Sequence, residues 1–469
     1  MPFHLSKSVA AMMFASSLVG CAAVVKTPYE APNVALPQSY AYAQNNKNQL
    51  ILSQLQADQW WTLFNDAQLN QLINQVLNQN QDLAVAGLRL QQAWLQAGLA
   101  RDQQGIRVGS AGFSTGHNFD LNSGTHSDSG ISARFGLSYE LDLFGKLAQQ
   151  TEASRWSALA TEQDLQATAQ SLIGLTASLY WQLGYLHERY ALSQQNLANS
   201  QKTFELVKKQ YQVGAVSNLD LSQAQQSVQS QKANLSQIQQ QLVETRTALA
   251  VLLNQSVQQL DLKEPQRLPN VNLPQIQAGL PAQLLARRPD LKAAELRLRQ
   301  ALANKDATTA SYYPSISLTG NLGSSSTSLT QLLKNPVLSL GSSINLPFLQ
   351  YNDMKKNLKI SELEYEAVTR NYSKTLYQAL AEVENALSLR EQLDKQVQFS
   401  EVNLQLAQKV QKLTETRYQH GAIALKNVLD AQDTARNASL SLLQTKQNQY
   451  NAYVTLMQAL GGSPLPPQS

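Results

Sequence analysis

The sequence predicts a mixed, mostly helical fold with two internal structural repeats and four β-strands in each chain. Three observations predict this fold. Long segments without proline have helical periodicity, four shorter segments alternate apolar and polar residues, and the two halves share a motif at an offset of about 207 residues. Each half therefore has the order helix, β-hairpin, long helix, sharp turn and helix.

The alternating segments have a period of two, which is typical of strands with one apolar and one polar face. These segments are 106–114, which is the weakest match, 131–142, 315–322 and 338–348. They predict two hairpins with exposed loops at 115–130 and 323–337. The polar faces are mostly Ser, Gly, Thr and Asn, and the lengths approach those of tilted membrane strands, but a small soluble sandwich packed on the helices is an alternative.

Two segments without proline, 146–213 and 352–419, could each form a helix of about 100 Å at ~1.5 Å per residue. The segment that follows the first has a heptad seam, which predicts side-by-side helix packing. The seam consists of Leu221, Ala224, Val228, Leu235, Ile238, Leu242, Leu249 and Leu252. Gly214 and Gly421 are expected in left-handed turns at the helix ends, and Ser217 and Asn218 are expected to cap the helix after the first turn.

These patterns divide the chain into consecutive segments. We expect a signal peptide at 1–20, a lipid-anchored extended tether at 21–66, a helix at 67–104, the first β-hairpin at 105–145, a long helical hairpin at 146–254, a proline-rich linker at 255–281, a helix at 282–312, the second β-hairpin at 313–349, a second long helical hairpin at 350–461 and a tail at 462–469.

Cys21 is the only cysteine, and it ends a short export-type segment. The apolar run from Val9 to Leu18 follows Lys7 and is too short to span a bilayer. The small residues before Cys21 resemble the lipobox of bacterial lipoproteins, which implies a covalent lipid on Cys21. Ala22 at the next position points toward the outer membrane rather than the inner one. A chance cysteine at the end of an ordinary signal peptide is the alternative.

Composition excludes several classes of function. With 43% hydrophobic residues, 15% charged residues and a net charge of +4, the chain resembles neither a disordered protein nor a nucleic-acid-binding one. The five histidines are scattered, without metal-ligand spacing, and we find neither a nucleophile elbow nor a phosphate loop. We therefore expect no enzyme, no metal site, and no cofactor apart from the lipid on Cys21.

Four strands of this type cannot close a barrel, and an open sheet edge in lipid leaves backbone groups without hydrogen bonds. The chain is therefore expected to oligomerise. Two copies would give about eight strands and a filled interior, whereas three would give about twelve and begin to leave a lumen. Small polar residues such as Ser132, Ser138, Ser317 and Asn321 do not fill space, which favours a homotrimer.

Seven short segments, in the same order along the chain, carry a family resemblance. They are 60–66 with 80–83, 140–146, 288–291 with 294–295, 313–318, 382–384, 417–418 and 428–432. In these segments the chain resembles the outer-membrane efflux lipoproteins of the TolC and OprM type, also called outer membrane factors, over nearly its whole mature length. It departs from them at 349–352, after the fourth strand.

The resemblance implies a homotrimer in which a periplasmic α-helical barrel continues a 12-stranded β-barrel in the outer membrane. It implies a passive exit duct for small molecules from periplasm to exterior in a tripartite efflux system. The implied partners are a periplasmic adaptor (membrane fusion) protein, an inner-membrane transporter and outer-membrane lipid. A structural stalk that spans the periplasm, or a duct for metal ions or polypeptides, is the alternative.

The resemblance also implies a gate at the periplasmic end, where an aspartate of the family corresponds to Asp430. Asp433 shares its helix face, although the OprM type has arginine there. Three copies would place about six carboxylates in one ring, which we expect to attract cations. Tyr418 and Asn427 complete the expected gate, with closure relying on hydrogen bonds from neighbours such as Tyr418. A solvated helix face is the alternative reading of both aspartates.

The turns at the ends of the long helices are the expected docking tips for the adaptor. They consist of Gly214, Ala215, Val216 and Ser217 in the first half, and Gly421, Ala422 and Ile423 in the second. Short apolar side chains at such ends can meet the tips of partner hairpins. Simple turn chemistry is the alternative, because it explains the two glycines equally well.

Overall fold

A computed structural model describes residues 25–42, 50–51, 57–119, 126–269, 273, 276–277, 281, 287–326, 329–334 and 336–462. These residues form two compact units, which are described separately. The first unit lies within residues 1–34, 88–163 and 291–375, and the second lies within 35–87, 164–290 and 376–469. The expected mostly helical character is confirmed.

Seven α-helices are labelled in chain order. They are α1 (Ala67–Gln79), α2 (Gln81–Asp102), α3 (Lys146–Gln212), α4 (Asn218–Leu252), α5 (Pro289–Ala310), α6 (Tyr351–Gln419) and α7 (Leu425–Ala459). Within the described ranges, none of the helices has an apolar stretch that could cross a bilayer. The single helix predicted at 67–104 is wrong, because Asn80 interrupts it. The Asn80 side chain accepts a hydrogen bond from the Leu83 amide and donates one to the Leu252 carbonyl.

The first unit contains a four-stranded antiparallel sheet. Its strands are β1 (Arg107–Phe119), β2 (His126–Leu141), β3 (Ser315–Ser326) and β4 (Pro336–Asn345), in the order β1-β2-β3-β4. The register pairs apolar with apolar residues, as in Phe135 with Leu322, and polar with polar residues, as in Ser138 with Thr319. Because directly paired residues share a face, the two predicted faces of the hairpins are confirmed.

The predicted loops at 115–130 and 323–337 are wrong, because both hairpins are longer. β1 continues to Phe119, β2 begins at His126, and β3 continues to Ser326. The second connection contains a 3-10 helix at Leu329–Lys334. These segments are rich in Ser, Gly and Thr, so their composition is that of loops, whereas their backbones pair as strands, with one register shift between Gly116 and Asn118. The fourth strand also ends earlier than predicted, because a 3-10 helix forms at Pro347–Leu349.

The chain passes from β2 to α3 through a turn that the sequence specifies. Gly145 has a φ of 77°, which favours glycine. The Asp142 carboxylate accepts hydrogen bonds from the Leu147 and Ala148 amides at 3.1 and 2.7 Å, so it caps the first turn of α3. Lys146 forms an ion pair with Glu140. The orientation of α3 relative to the end of β2 is therefore fixed by local contacts.

The described part of the N-terminal segment is bound to helices rather than free. In the first unit, the Thr27 amide and hydroxyl donate to the Asp306 carboxylate at 2.7 and 2.8 Å, and the Arg299 guanidinium lies 4.1 Å from the Tyr29 ring centre. In the second unit, the amides of Ala41 and Tyr42 donate to Glu384. The expected free tether at 21–66 is therefore wrong for these residues.

The last part of the predicted tether is also wrong, because Ala57–Phe64 forms a 3-10 helix. Its aromatic residues enter the core of the second unit, where Phe64 lies 4.7 Å from Trp181 and 5.3 Å from Tyr453 between ring centres. Trp181 and Tyr453 are fully buried. Burial of rings of this size is a large stabilising contribution, so this helix anchors the segment that precedes α1.

The proline-rich linker between the halves is fixed by a partly buried charge cluster in the second unit. Glu264 accepts two hydrogen bonds from Arg246, at 2.5 and 2.8 Å, and lies 2.6 Å from His187 Nε2. Burial opposes the charge on Glu264, but the hydrogen bonds from Arg246 and His187 outweigh it, so its pKa is lowered. The linker is thereby bound to α3 and α4.

A second charge cluster joins the start of α5 to α6. The Arg288 guanidinium contacts Asp290 and Glu382, each at 2.7 Å, and donates to the Ala459 carbonyl at 3.3 Å. Burial disfavours the charge on Arg288, but the carboxylate hydrogen bonds outweigh burial and raise its pKa. A buried arginine with three partners of this kind is well compensated, whereas loss of one partner would leave a buried charge.

Candidate functional site: the helix-hairpin tips

The two helix-hairpin tips have the same backbone geometry. Gly214 has a φ of 75° and Gly421 a φ of 70°, which confirms the predicted left-handed turns. In the first tip, the Gly214 amide donates to the Tyr211 carbonyl at 3.0 Å, and the Ala215 amide donates to the Gln210 carbonyl at 2.8 Å. These are the two hydrogen bonds of a Schellman motif.

The second tip repeats this pattern residue for residue. The Gly421 amide donates to the Tyr418 carbonyl, and the Ala422 amide donates to the Arg417 carbonyl, both at 2.9 Å. The helices that follow differ at their starts. Ser217 and Asp220 form a capping box at α4, as predicted for Ser217, whereas Ala424 precedes α7 without a side-chain cap. Of the two tips, the first is therefore the one followed by a helix that a serine hydroxyl caps.

A small apolar cluster, which we call the tip cluster, packs the two tips against each other. Its buried members are Val207, Ala224 and Leu425. Val216 and Tyr418 pack against them and are partly buried. A cleft of about 710 Å³ lies beside this cluster and is lined by both tip glycines and by Ile423. The apolar character of Val216 is therefore explained in part by packing within the chain.

The most exposed apolar residue of the tips was not among the predicted site residues. Val213 is 80% exposed, whereas Val216 and Ile423 are partly buried. Leu219, in the first turn of α4, is also exposed. Val213 directly precedes the predicted tip segment 214–217, and Leu219 lies two residues after it. Apolar residues beside that segment were therefore visible in the sequence. An exposed apolar side chain at a turn is more available to a partner than a packed one.

Tyr418 connects the two helix hairpins by a hydrogen bond that the sequence did not reveal. Its hydroxyl donates to Gln210 Oε1 at 2.7 Å, which links the end of α6 to the end of α3. Burial and the charge of Asp220 raise the pKa of Tyr418, so the phenol remains a donor at neutral pH. Gln210 thus belongs to the candidate gate.

Asp430 and Asp433 lie on the exposed part of α7, and each forms an ion pair within its own helix. Lys426 Nζ donates to Asp430 Oδ2 at 2.6 Å, and Arg436 pairs with Asp433. Both aspartate side chains are 59% exposed, whereas that of Arg436 is 13% exposed. Burial lowers the pKa of Arg436. Asn427 is exposed in the first turn of α7.

Gln432, which lies between the two aspartates on α7, connects three helices. Its Nε2 donates to Glu415 Oε1 of α6 at 2.9 Å and to Thr203 Oγ1 of α3 at 3.3 Å. A cleft of about 280 Å³ beside it is lined by Glu415, Tyr418 and Lys202, among others. This arrangement couples the position of α7, which carries both aspartates, to α3 and α6.

The predicted lipid-attachment residue, Cys21, lies outside the described residues. Across the part of the chain that the structure describes, no group of three or more His, Cys, Asp or Glu side chains is placed to hold a metal ion.

Comparisons with known proteins match this architecture along almost the whole chain. The family model described as outer membrane efflux protein matches residues 72–255 and 280–462. The chain is 31% identical to the toluene efflux pump outer membrane protein TtgC of Pseudomonas putida, over 98% of this chain and 96% of that protein. It is 30% identical to the cation efflux system protein CusC of Escherichia coli, over 96% and 97%.

A solved structure of the outer-membrane channel OprN is similar in fold. It superimposes with a TM-score of 0.84 at 26% identity, over 93% of this chain and 99% of that one. These findings confirm the predicted resemblance, the outer-membrane location and the role as channel of an efflux system. The family is one of efflux channels rather than of enzymes. The chain therefore belongs to the outer membrane efflux protein family.

Proposed function

We propose that three copies of this chain form the outer-membrane exit duct of a tripartite efflux system. The observation that carries this proposal is the sheet, which has one apolar face, one polar face and two edges, β1 and β4, that are unpaired among the described residues. In lipid such edges require partner strands. Three chains supply about twelve strands, enough for a closed barrel with a water-filled lumen.

The long helices supply the periplasmic part of the duct. α3 has 67 residues and α6 has 69, which correspond to roughly 100 Å each at ~1.5 Å per residue. Packed side by side in a trimer, they form a helical tube that continues the barrel. The tips at Gly214 and Gly421 then lie at the periplasmic end, where a periplasmic adaptor protein docks. An inner-membrane transporter supplies the energy, and the duct itself is passive.

The gate lies in the same region. Asp430 and Asp433 of three chains form a ring that attracts cations, and the hydrogen bond between Tyr418 and Gln210 holds the two hairpins of each chain together in the closed state. Docking of the adaptor breaks this hydrogen bond and separates the hairpins. Gln432, which contacts both α3 and α6, transmits the movement to α7.

Cys21 carries the lipid that anchors the chain to the outer membrane. The supporting observations are the export-type segment before it and its position as the only cysteine. One acyl chain is a weak anchor, so the barrel supplies the permanent insertion. The cargo is small molecules, selected upstream by the transporter. The names of TtgC and CusC refer to toluene and to cations, which supports a duct that does not itself choose the cargo.

The mass of the purified protein tests this proposal. The mature lipoprotein in detergent is expected to have the mass of three chains, each 51.7 kDa less the signal peptide, plus bound detergent and lipid. Membrane β-barrels resist unfolding by detergent, so the unheated sample should migrate as a trimer on a gel and the boiled sample as a monomer. A monomeric mass before heating would contradict the proposal and favour the structural stalk.

A further inference from the structure

One arginine, Arg134, stands in the middle of the polar face of the sheet. It pairs with Gly112 of β1 and with Gly323 of β3, so all three residues lie in one row across the sheet. The surrounding positions of the same face hold only uncharged residues. They are Ser110, Ser114, Ser132, Gly136, Asn321 and Ser325.

The two glycines give the Arg134 side chain room on both sides. A Cβ atom built at Gly323 would lie 3.7 Å from Arg134 Cγ, which shows that the arginine stem extends over this glycine. Arg134 is exposed, and among the described residues no carboxylate forms an ion pair with it. Its charge is therefore fully available to solutes at this face.

Among the described charged residues of the polar face, basic side chains outnumber acidic ones. Arg107 of β1 pairs with Ser138 of β2 and so lies on the same face as Arg134. Among the strand residues whose side chains the structure describes, Glu140 is the one carboxylate on this face, and Lys146 forms an ion pair with it. Within this set two arginines per chain remain without a compensating carboxylate, and three chains would triple this excess around one lumen.

We propose that Arg134 makes the sheet-lined section of the pore an anion-attracting site, which concentrates small anionic solutes and disfavours cations. The proposal rests on the proposed function, because only a closed barrel places the polar face around water. Three Arg134 side chains then form one ring at the same depth. In a narrow aqueous channel, a ring of like charges biases the local ion concentration toward the opposite sign.

Charged thiol reagents can measure the potential at Arg134 whether the periplasmic gate is open or closed. Ser132→Cys places a thiol two residues from Arg134 on the polar face, and Ala133→Cys places one on the apolar face. The full-length protein in neutral lipid vesicles is treated with anionic and cationic methanethiosulfonate reagents. The unsubstituted protein, with Cys21 as its only cysteine, gives the background.

We expect Ser132→Cys to react faster with the anionic reagent than with the cationic one. Adding Arg134→Ser should reduce the ratio of the two rates about tenfold, since unit charges roughly 7 Å apart in water change each rate about threefold. Arg134→Lys keeps the charge and should keep the ratio. A ratio that Arg134→Ser leaves unchanged would overturn this inference while leaving the channel intact.

Failure of the proposed function gives a different result. If the polar face does not line water, Ser132→Cys will not react with either reagent in any variant. If the two faces are reversed, Ala133→Cys will react instead. Both patterns contradict the pore itself, whereas rapid and charge-independent reaction of Ser132→Cys contradicts only the role of Arg134.

Discussion

At the scale of single residues, the electrostatic effect of Asp430 and Asp433, the aspartates of the proposed gate, depends on their ion-pair partners as well as on their own charges. Lys426 and Arg436 each neutralise one carboxylate at close range. The exposed pair of Lys426 with Asp430 is worth only about 0.3–0.5 kcal/mol, so it opens readily, whereas the Arg436 side chain in the second pair is only 13% exposed. In the proposed ring, an entering cation would compete with the lysine and arginine side chains, and the strength of its binding would depend on how easily these pairs separate.

The gate is tested by the double substitution Asp430→Ala with Asp433→Ala. Removing the carboxylates is expected to abolish both the cation preference at this constriction and the block by divalent cations, because the remaining Lys426 and Arg436 repel cations. The measurement is single-channel current across planar bilayers, with and without magnesium. The same experiment reports the reversal potential in a salt gradient.

Glu366→Ala is a suitable control for this double substitution. Glu366 forms an exposed i,i+4 ion pair with Arg370 on α6, so the control removes a carboxylate from a similar local pair outside the tips. It should leave the current and the divalent block as they are. Unchanged conductance, selectivity and block in the aspartate variant would rule out the gate and support a solvated helix face.

The ion pairs of Asp430 and Asp433 could be predicted from the sequence, whereas the hydrogen bond of Tyr418 could not. The partners of Asp430 and Asp433 lie four residues before and three residues after them, a spacing that predicts ion pairs on any helix. The partner of Tyr418 could not be found in this way. Gln210 precedes it by 208 residues, and their contact depends on the packing of two separate hairpins around the tip cluster.

At the scale of elements, the strand faces were predictable and the strand ends were not. The faces follow from alternation along each strand, which is a local property. The ends depend on pairing between strands, and the segments near Phe119 and Ser326 have a composition that suits loops and strands equally. The 3-10 helix at Ala57–Phe64 was missed for a related reason, since the aromatic residues that bury it are remote in sequence.

The linker cluster around Glu264 predicts a pH-dependent contribution to stability. The pKa of Glu264 is lowered below its ordinary value of 4.5, so the ionised carboxylate stabilises the fold fully above about pH 4.5. This contribution is lost as the pH falls through the lower pKa of the folded state. Glu264→Gln should therefore reduce the free energy of unfolding at pH 7 by about 1–3 kcal/mol.

Thermal unfolding followed by circular dichroism at several pH values checks this prediction. The difference in midpoint between Glu264→Gln and the original protein should be largest at neutral pH and should shrink below about pH 4. Glu366→Gln, which alters an exposed pair, should cost less than roughly 0.5 kcal/mol at any pH. A constant difference at all pH values would show that the carboxylate charge is not the cause.

At the scale of the whole molecule, the proposed function places the contact with the adaptor at the tips. Val213 is 80% exposed, whereas Val216 packs against the tip cluster. A photoreactive amino acid at Val213 is therefore expected to cross-link the adaptor in cells more efficiently than the same group at Val216. Mass spectrometry of the cross-linked band identifies the partner.

Leu329, in the 3-10 helix between β3 and β4, provides the matched control for this cross-linking. It is similarly exposed, but it belongs to a strand connection of the first unit, so a photoreactive group there should not capture the adaptor. Capture from Leu329 but from neither valine would contradict docking at the tips. Equal capture from both valines would instead show that the tip cluster opens on docking.

The attachment of Thr27 to Asp306 limits how far the membrane anchor can reach. Cys21 precedes Thr27 by six residues, and an extended chain covers at most about 3.6 Å per residue, so Cys21, the proposed lipid-bearing residue, lies within roughly 25 Å of the Asp306 carboxylate. The proposed lipid on Cys21 would therefore keep the C-terminal end of α5, and with it the start of β3, close to the bilayer surface.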